Sequence, residues 1–107
     1  MINNLAKQIH ENAKSKGFFD SEKNIGEMLC LIHSEVSEAL EADRKDNYFN
    51  KLQLRLSSYE CLPNIIFIKQ FENDVKNTFE DELADIIIRV MDLAEFKGIN
   101  LENHIKA

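Results

Sequence analysis

Ile25, Met28, Leu29, Ile32, Val36, Ala39 and Leu40 recur at intervals of three or four residues. A helix with such spacing gathers its apolar side chains on one face and must bury that face against something. Phe79, Leu83, Ile86, Ile87, Val90 and Ala94 repeat the pattern further on. With three Gly and one Pro in 107 residues, there are few places for the chain to break. Long helices over many turns follow, and the expected fold class is all-α: a bundle of four to five helices in a single domain spanning 1–107.

The stop signals divide the chain. Ile2, Leu5, Ala6, Ile9 and Ala13 predict a first helix over about 2–16, ended by Gly17. A second helix is expected from Ser21 or Asn24 to Lys45. The stretch 47–76 reads as an inserted segment. In it Leu52, Leu54 and Leu56 alternate like a strand, while Phe67, Phe71 and Val75 recur like a helix, with Pro63 between them. Helices are assigned to 48–58 and 65–76. Thr78 and Asp81 resemble a capping box built with the shorter acid, opening a helix that runs to Gly98. Asn100 is positioned to cap a last short helix over Leu101–Lys106.

The net charge of −6 excludes the basic footprint of a binder of polymeric nucleic acid. Phosphates then require a divalent cation as mediator. The opening MINNLAKQIHENAKSKG has no uninterrupted apolar core of a signal peptide, and no run approaches a membrane span. A cytoplasmic protein with no membrane partner is expected. Cys30 and Cys61 lack metal-ligand spacing and read as small buried hydrophobes.

Two acid pairs carry the chemistry. LIHSEVSEALEADRK places Glu35 and Glu38 three apart, and DELADIIIRVMD does the same with Glu82 and Asp85. With Ile25 at zero on a helical wheel, Glu35 falls at about 280° and Glu38 at about 220°, on a shoulder of the apolar face. With Phe79 at zero, Glu82 falls at about 300° and Asp85 at about 240°. A lone E-x-x-E is common on solvated helices. Two pairs at matching angles allow four carboxylates to converge if the helices pack antiparallel. Such carboxylates repel unless a cation joins them. Oxygen ligands without Cys or His point to Mg²⁺, with Mn²⁺ as the other choice.

Glu35-Val-Ser-Glu38 and Glu82-Leu-Ala-Asp85, with their surroundings NIGEMLCLIHSEVSEALEADRK and EDELADIIIRVMDLAEFKGINLENHI, resemble the E-x-x-E…E-x-x-D signature of the MazG-like all-α nucleoside triphosphate pyrophosphohydrolases. The resemblance covers roughly 17–47 and 77–106. It implies a bundle completed by oligomerisation, as a homodimer or homotetramer. It also implies Mg²⁺ held by Glu35, Glu38, Glu82 and Asp85, and hydrolysis of a (deoxy)nucleoside triphosphate to monophosphate and pyrophosphate, as in nucleotide-pool house-cleaning. Phosphoribosyl-ATP pyrophosphatase activity and a non-catalytic metal- or nucleotide-binding helical oligomer are the alternatives. The 43 residues between Glu38 and Glu82 exceed the usual family spacer. Related proteins often carry a Lys/Asn/Arg-bearing tail beyond the last acid helix, which this sequence lacks up to Ala107.

Further candidates surround the acids. Arg44 and Lys45 are placed to meet phosphate oxygens or to complement a helix C-terminus. Arg89, at about 280° on its helix, is placed for phosphate or for an intrahelical bridge to Asp85 or Asp92. Asp92 reads as an outer-shell ligand or a solvated acid. Phe18 and Phe19 offer either base stacking or core closure. His33 reads as structural or interfacial, and His10 and His104 show no constellation. Ser34 is unsuited to act as a base, so water activation falls to the metal, aided by one of the acids.

Overall fold

The computed structural model describes residues 1–49 and 64–107, and among these all regular structure is helical. The five helices are α1 (Ile2–Ser15), α2 (Ile25–Arg44), α3 (Asn64–Asp74), α4 (Phe79–Phe96) and α5 (Leu101–Lys106). The expected all-α class is therefore met. The helix assigned to 48–58, and the alternating Leu52, Leu54 and Leu56, lie almost wholly outside the described residues.

Local chemistry sets the helix ends. Asn24 caps α2 by accepting the Glu27 N–H at 2.7 Å, which settles the choice against Ser21. Asn100 caps α5 through the Asn103 N–H at 3.1 Å. Thr78 Oγ1 accepts the Asp81 N–H, while the Asp81 carboxylate accepts the Asn77 N–H at 2.9 Å. The capping box is thus present with a shift: the short acid takes the N–H one residue before the cap. At the other ends, Gly17 and Gly98 adopt φ of +87° and +67°. Each closes a Schellman turn, with Phe18 N–H bonded to Ala13 O and Ile99 N–H to Ala94 O. Asp46 makes the same turn after α2 at φ 54°.

The chain divides into two compact units, Met1–Glu35 with Ala84–Ala107, and Val36–Leu83. In the first, Ala6, Met28, Met91 and Ala94 form the buried apolar core. Phe19 stacks on Phe96 at 5.1 Å between ring centroids, and Phe18 meets Phe19 edge-on at 4.9 Å. The start of α1 is tied to α5. The Glu102 carboxylate accepts the Met1 amine at 3.0 Å and the Ile2 N–H at 2.7 Å. Asn3 Nδ2 donates to Asn100 Oδ1, and Asn3 Oδ1 accepts the Glu102 N–H. These bonds satisfy donors that a helix start leaves open. They also hold the Glu102 carboxyl at a pKa of about 2, chiefly through the terminal amine, then the Ile2 N–H and Lys106.

In the second unit Ala39, Ala42 and Val75 are the buried apolar residues. The segment after α2 is pinned to the start of α4: Asn47 O accepts the Phe79 N–H at 2.8 Å, and Glu80 accepts the Phe49 N–H at 2.9 Å. Tyr48 packs its ring on Phe79 and donates its hydroxyl to Asp43. That bond, followed by burial and nearby acids, pushes the Tyr48 phenol up to about 12.

One expectation is corrected. The helix faces are turned relative to the sequence reading. On α2 the buried residues are Met28, Glu35, Ala39 and Ala42, whereas Ile25, Leu29, Val36 and Leu40 are exposed. On α4, Asp81, Glu82 and Asp92 are buried, while Leu83 and Ile87 are exposed. The acids do not flank a buried aliphatic stripe. Glu35, Asp81, Glu82 and Asp92 lie along the inward line while Glu38 is exposed, and much of each stripe faces out.

Candidate functional site

The inward turn of α2 and α4 decides where the carboxylates go. Glu35 and Glu38 stand one turn apart on α2, Glu35 buried and Glu38 exposed. Glu82 and Asp85 stand one turn apart on α4, Glu82 buried and Asp85 half-buried. Within the second unit, Glu38 and Glu82 bring carboxylate oxygens within 4.8 Å of each other. Along α4, Asp81, Glu82 and Asp85 also hold one oxygen each within 4.8 Å of the others. Asp81 was not among the expected ligands, and its bond to the Asn77 N–H explains its inward pose.

Glu35 and Asp85 face a cavity of about 570 Å³ in the first unit. Ile9, Asn12 and Ala13 of α1 form one wall, continued by Lys16, Gly17 and Phe18, and Ile88, Arg89 and Asp92 of α4 complete the opposite side. The Schellman turn at Gly17 brings Phe18 to this space. The turn is tight, since a Cβ at Gly17 would stand 2.9 Å from the Asp20 carboxylate. Phe18 also carries the Lys23 ammonium 4.7 Å from its ring centroid. A pocket of this size with an apolar wall and a few charged groups has the character of a small-molecule site.

Among the described residues, the cavity is lined by three carboxylates, Glu35, Asp85 and Asp92, and two cations, Lys16 and Arg89. Arg89 Nε donates to Glu35 Oε1 at 2.8 Å. Its bridge therefore runs between helices, and the expected intrahelical pairing to Asp85 or Asp92 is not the one formed. Asp92 is buried rather than solvated, and its Oδ1 lies 2.8 Å from His10 Nδ1. His10 thus does belong to a constellation, contrary to the sequence reading. Ala6, His10 and Ala13 share a face of α1, which marks His10 as inward-facing but does not name its partner. Asn12 and Lys16 were also missed, and nothing in their spacing marks them.

Phe19 does not line the cavity; its ring lies between Phe96 and Phe18. Arg44 and Lys45 stand at the far end of α2 in the second unit, where Lys45 pairs with Glu41 at 3.4 Å. Neither is among the described residues that line the cavity. His33 is exposed. Cys30 is free and exposed, not buried; Cys61 lies outside the described residues. No helix among the described residues is long and apolar enough to cross a membrane.

The clustered donors are all carboxylate oxygens. That chemistry suits a hard divalent cation such as Mg²⁺ or Mn²⁺ and not zinc. Within the second unit, Glu38 and Glu82 are the paired acids of that chemistry, and within the first, Glu35 and Asp85 share the cavity. No family model matches the chain, and no curated protein or solved structure matches it.

Proposed function

We propose that the chain is a Mg²⁺-dependent nucleoside triphosphate pyrophosphohydrolase of the MazG-like kind, releasing monophosphate and pyrophosphate. The observation that carries this reading is the shared placement of Glu35 and Asp85. One comes from each acid pair, and both face a nucleoside-sized cavity that also presents Phe18, Lys16 and Arg89. Glu38 and Glu82 extend the acid array by one helical turn on each side.

In this reading the family resemblance makes Glu35, Glu38, Glu82 and Asp85 the acids that would hold the cation, which when bound would supply charge neutralisation of the phosphates and a more acidic water. The protein's own residues orient the substrate. Phe18 offers a ring face to a base. Lys16 and Arg89 offer charge to the phosphate chain. The buried positions of Glu35 and Glu82 keep the carboxylates in fixed poses, so little reorganisation is needed when charge develops.

A homodimer or homotetramer is part of the proposal. The exposed stripe of Ile25, Leu29, Val36 and Leu40 on α2 supports it. A regular aliphatic row left facing outward along a helix is the kind of surface a second helix covers.

The test is turnover of a panel of ribo- and deoxyribonucleoside triphosphates with Mg²⁺, scoring pyrophosphate separately from phosphate, with Glu38→Gln as control. Pyrophosphate release that disappears in the variant supports the reading. Metal binding without turnover of any triphosphate overturns it in favour of a non-catalytic oligomer.

A further inference from the structure

Asp92 is buried on α4, and among the described residues its hydrogen-bond partner is His10. A carboxylate has two oxygens and only accepts. His10 meets Oδ1, so its Nδ1 carries the hydrogen. The imidazole is itself held in place, edge-on to Phe19 at 4.8 Å and tilted on Phe96 at 6.4 Å between ring centroids. Arg89, one turn before Asp92, gives its Nε to Glu35 instead. Oδ2 is used by neither contact, and Asp92 lines the cavity. The site thus presents a buried acceptor in a fixed pose.

Phe18 lies beside it. The ring and the carboxylate line the cavity together, and with Met28, Leu31 and Arg89 they also enclose a smaller space of about 10 Å³, room for one water at most. A flat base stacked on Phe18 therefore turns an edge towards Asp92. We propose that Asp92, oriented by His10, reads that edge by accepting a hydrogen bond from an exocyclic amine, so that the cavity takes amino-bearing bases (cytosine, adenine, guanine) in preference to uracil and thymine.

The selection works by attraction and by repulsion. An amine N–H meets the carboxylate in a charge-assisted hydrogen bond. Uracil and thymine carry a keto oxygen where cytosine carries its amine. Two acceptors then face each other, and a buried carboxylate oxygen turned to a ligand without a donor is costly. The position along the helix fits. Asp92 follows Asp85 by seven residues, about 10 Å along α4, so the sugar lies between the acid pairs and the base edge. Asp92 is the binding residue, and His10 is a positioning residue that acts through it.

That the ligand is a nucleotide rests on the pyrophosphohydrolase reading; the bond to His10 and the wall shared with Phe18 do not. The experiment is titration calorimetry of the full chain with Mg²⁺ and the monophosphates of cytidine, deoxycytidine and uridine, alongside kcat/KM for CTP and UTP, for the wild type and Asp92→Asn. The wild type is expected to favour cytosine over uracil by about tenfold or more, the size of a hydrogen bond to a charged group. Asp92→Asn keeps the shape of the side chain. Its Oδ1 still accepts from His10, while its Nδ2 becomes a donor into the cavity. The preference is expected to fall by about tenfold or more, to parity or in favour of uracil. A residue that served the fold alone would weaken both ligands together and leave their ratio unchanged.

Equal affinity of the wild type for cytidine and uridine monophosphate overturns the proposal, and that comparison needs no variant. So does an Asp92→Asn that keeps the wild-type ratio, or an absence of binding by all three monophosphates. A preference for cytidine over deoxycytidine that vanishes in Asp92→Asn, with cytosine and uracil bound alike, assigns the carboxylate to a sugar hydroxyl and also overturns it. If cytosine is favoured through Asp92 while no triphosphate is hydrolysed, the subsite stands and the enzymatic reading fails. If triphosphates are hydrolysed with no preference for cytosine, the reverse holds.

Discussion

His10 Nδ1 and Asp92 Oδ1 meet at 2.8 Å with side chains only 13% and 10% exposed, joining α1 to the acid-bearing helix α4. Asp92 also lines the cavity, so the pair supports the cavity wall. A carboxylate this buried depends on its partner. His10→Ala is expected to lower stability by about 2–3 kcal/mol, the cost of removing one side of a hydrogen bond to a charged group. His10→Ala combined with Asp92→Ala should cost less than the two single changes added together. Thermal or urea denaturation of the four proteins gives the coupling; simple additivity would show that the pair is not energetically joined.

Glu102 makes stability pH-dependent on the acid side. Its carboxyl titrates near 2 in the folded chain against an ordinary 4.5, because the Met1 amine, the Ile2 N–H and Lys106 hold the charged form. A lowered folded pKa means the contribution is present above about 4.5 and disappears as pH falls towards 2. Wild type and Glu102→Gln should therefore differ in urea midpoint at pH 6 and converge as pH is lowered through that window. A difference that stays constant with pH would show that Glu102 acts without its charge.

Much of this was legible in the sequence, for particular reasons. The stops at Gly17 and Gly98, the Asn100 cap and the Thr78–Asp81 box are local chemistry, and each appears where the residues placed it. The orientation of α2 and α4 was not legible in that way. Hydrophobic periodicity says which residues share a face and not whether that face is covered by the same chain. Ile25, Leu29, Val36 and Leu40 share a face as expected and still point outward. Glu35 points inward, where the Arg89 guanidinium bonds it, and that partner lies 54 positions away. His10 and Asp92 are 82 positions apart, and no local pattern joins them.

The acid array makes a second prediction, about metal. Glu82 is buried, and an oxygen of it lies within 4.8 Å of one of Glu38. A cation that binds only the folded chain raises its melting temperature by mass action. Millimolar Mg²⁺ or Mn²⁺ should therefore raise the melting temperature of the wild type, and chelator should reverse the shift. Glu82→Gln should show little or no metal-dependent shift, while Glu41→Gln, an exposed acid paired with Lys45 elsewhere on α2, should respond like the wild type. An equal shift in all three would place the metal elsewhere.

The outward stripe on α2 gives the last prediction. Leu40 is 51% exposed and Val36 48% exposed, so neither holds the isolated chain together. A lysine at an exposed helix site changes the stability of a lone chain by roughly half a kcal/mol or less. In an interface the same lysine has to be desolvated and buried without a partner, a cost of several kcal/mol. Leu40→Lys should therefore shift the mass seen by sedimentation or light scattering from an oligomer to a monomer, with helix content unchanged. Its melting temperature should become independent of protein concentration, whereas that of the wild type should rise with concentration. A wild type that sediments as a monomer at all concentrations would show that the aliphatic row on α2 serves some purpose other than self-association.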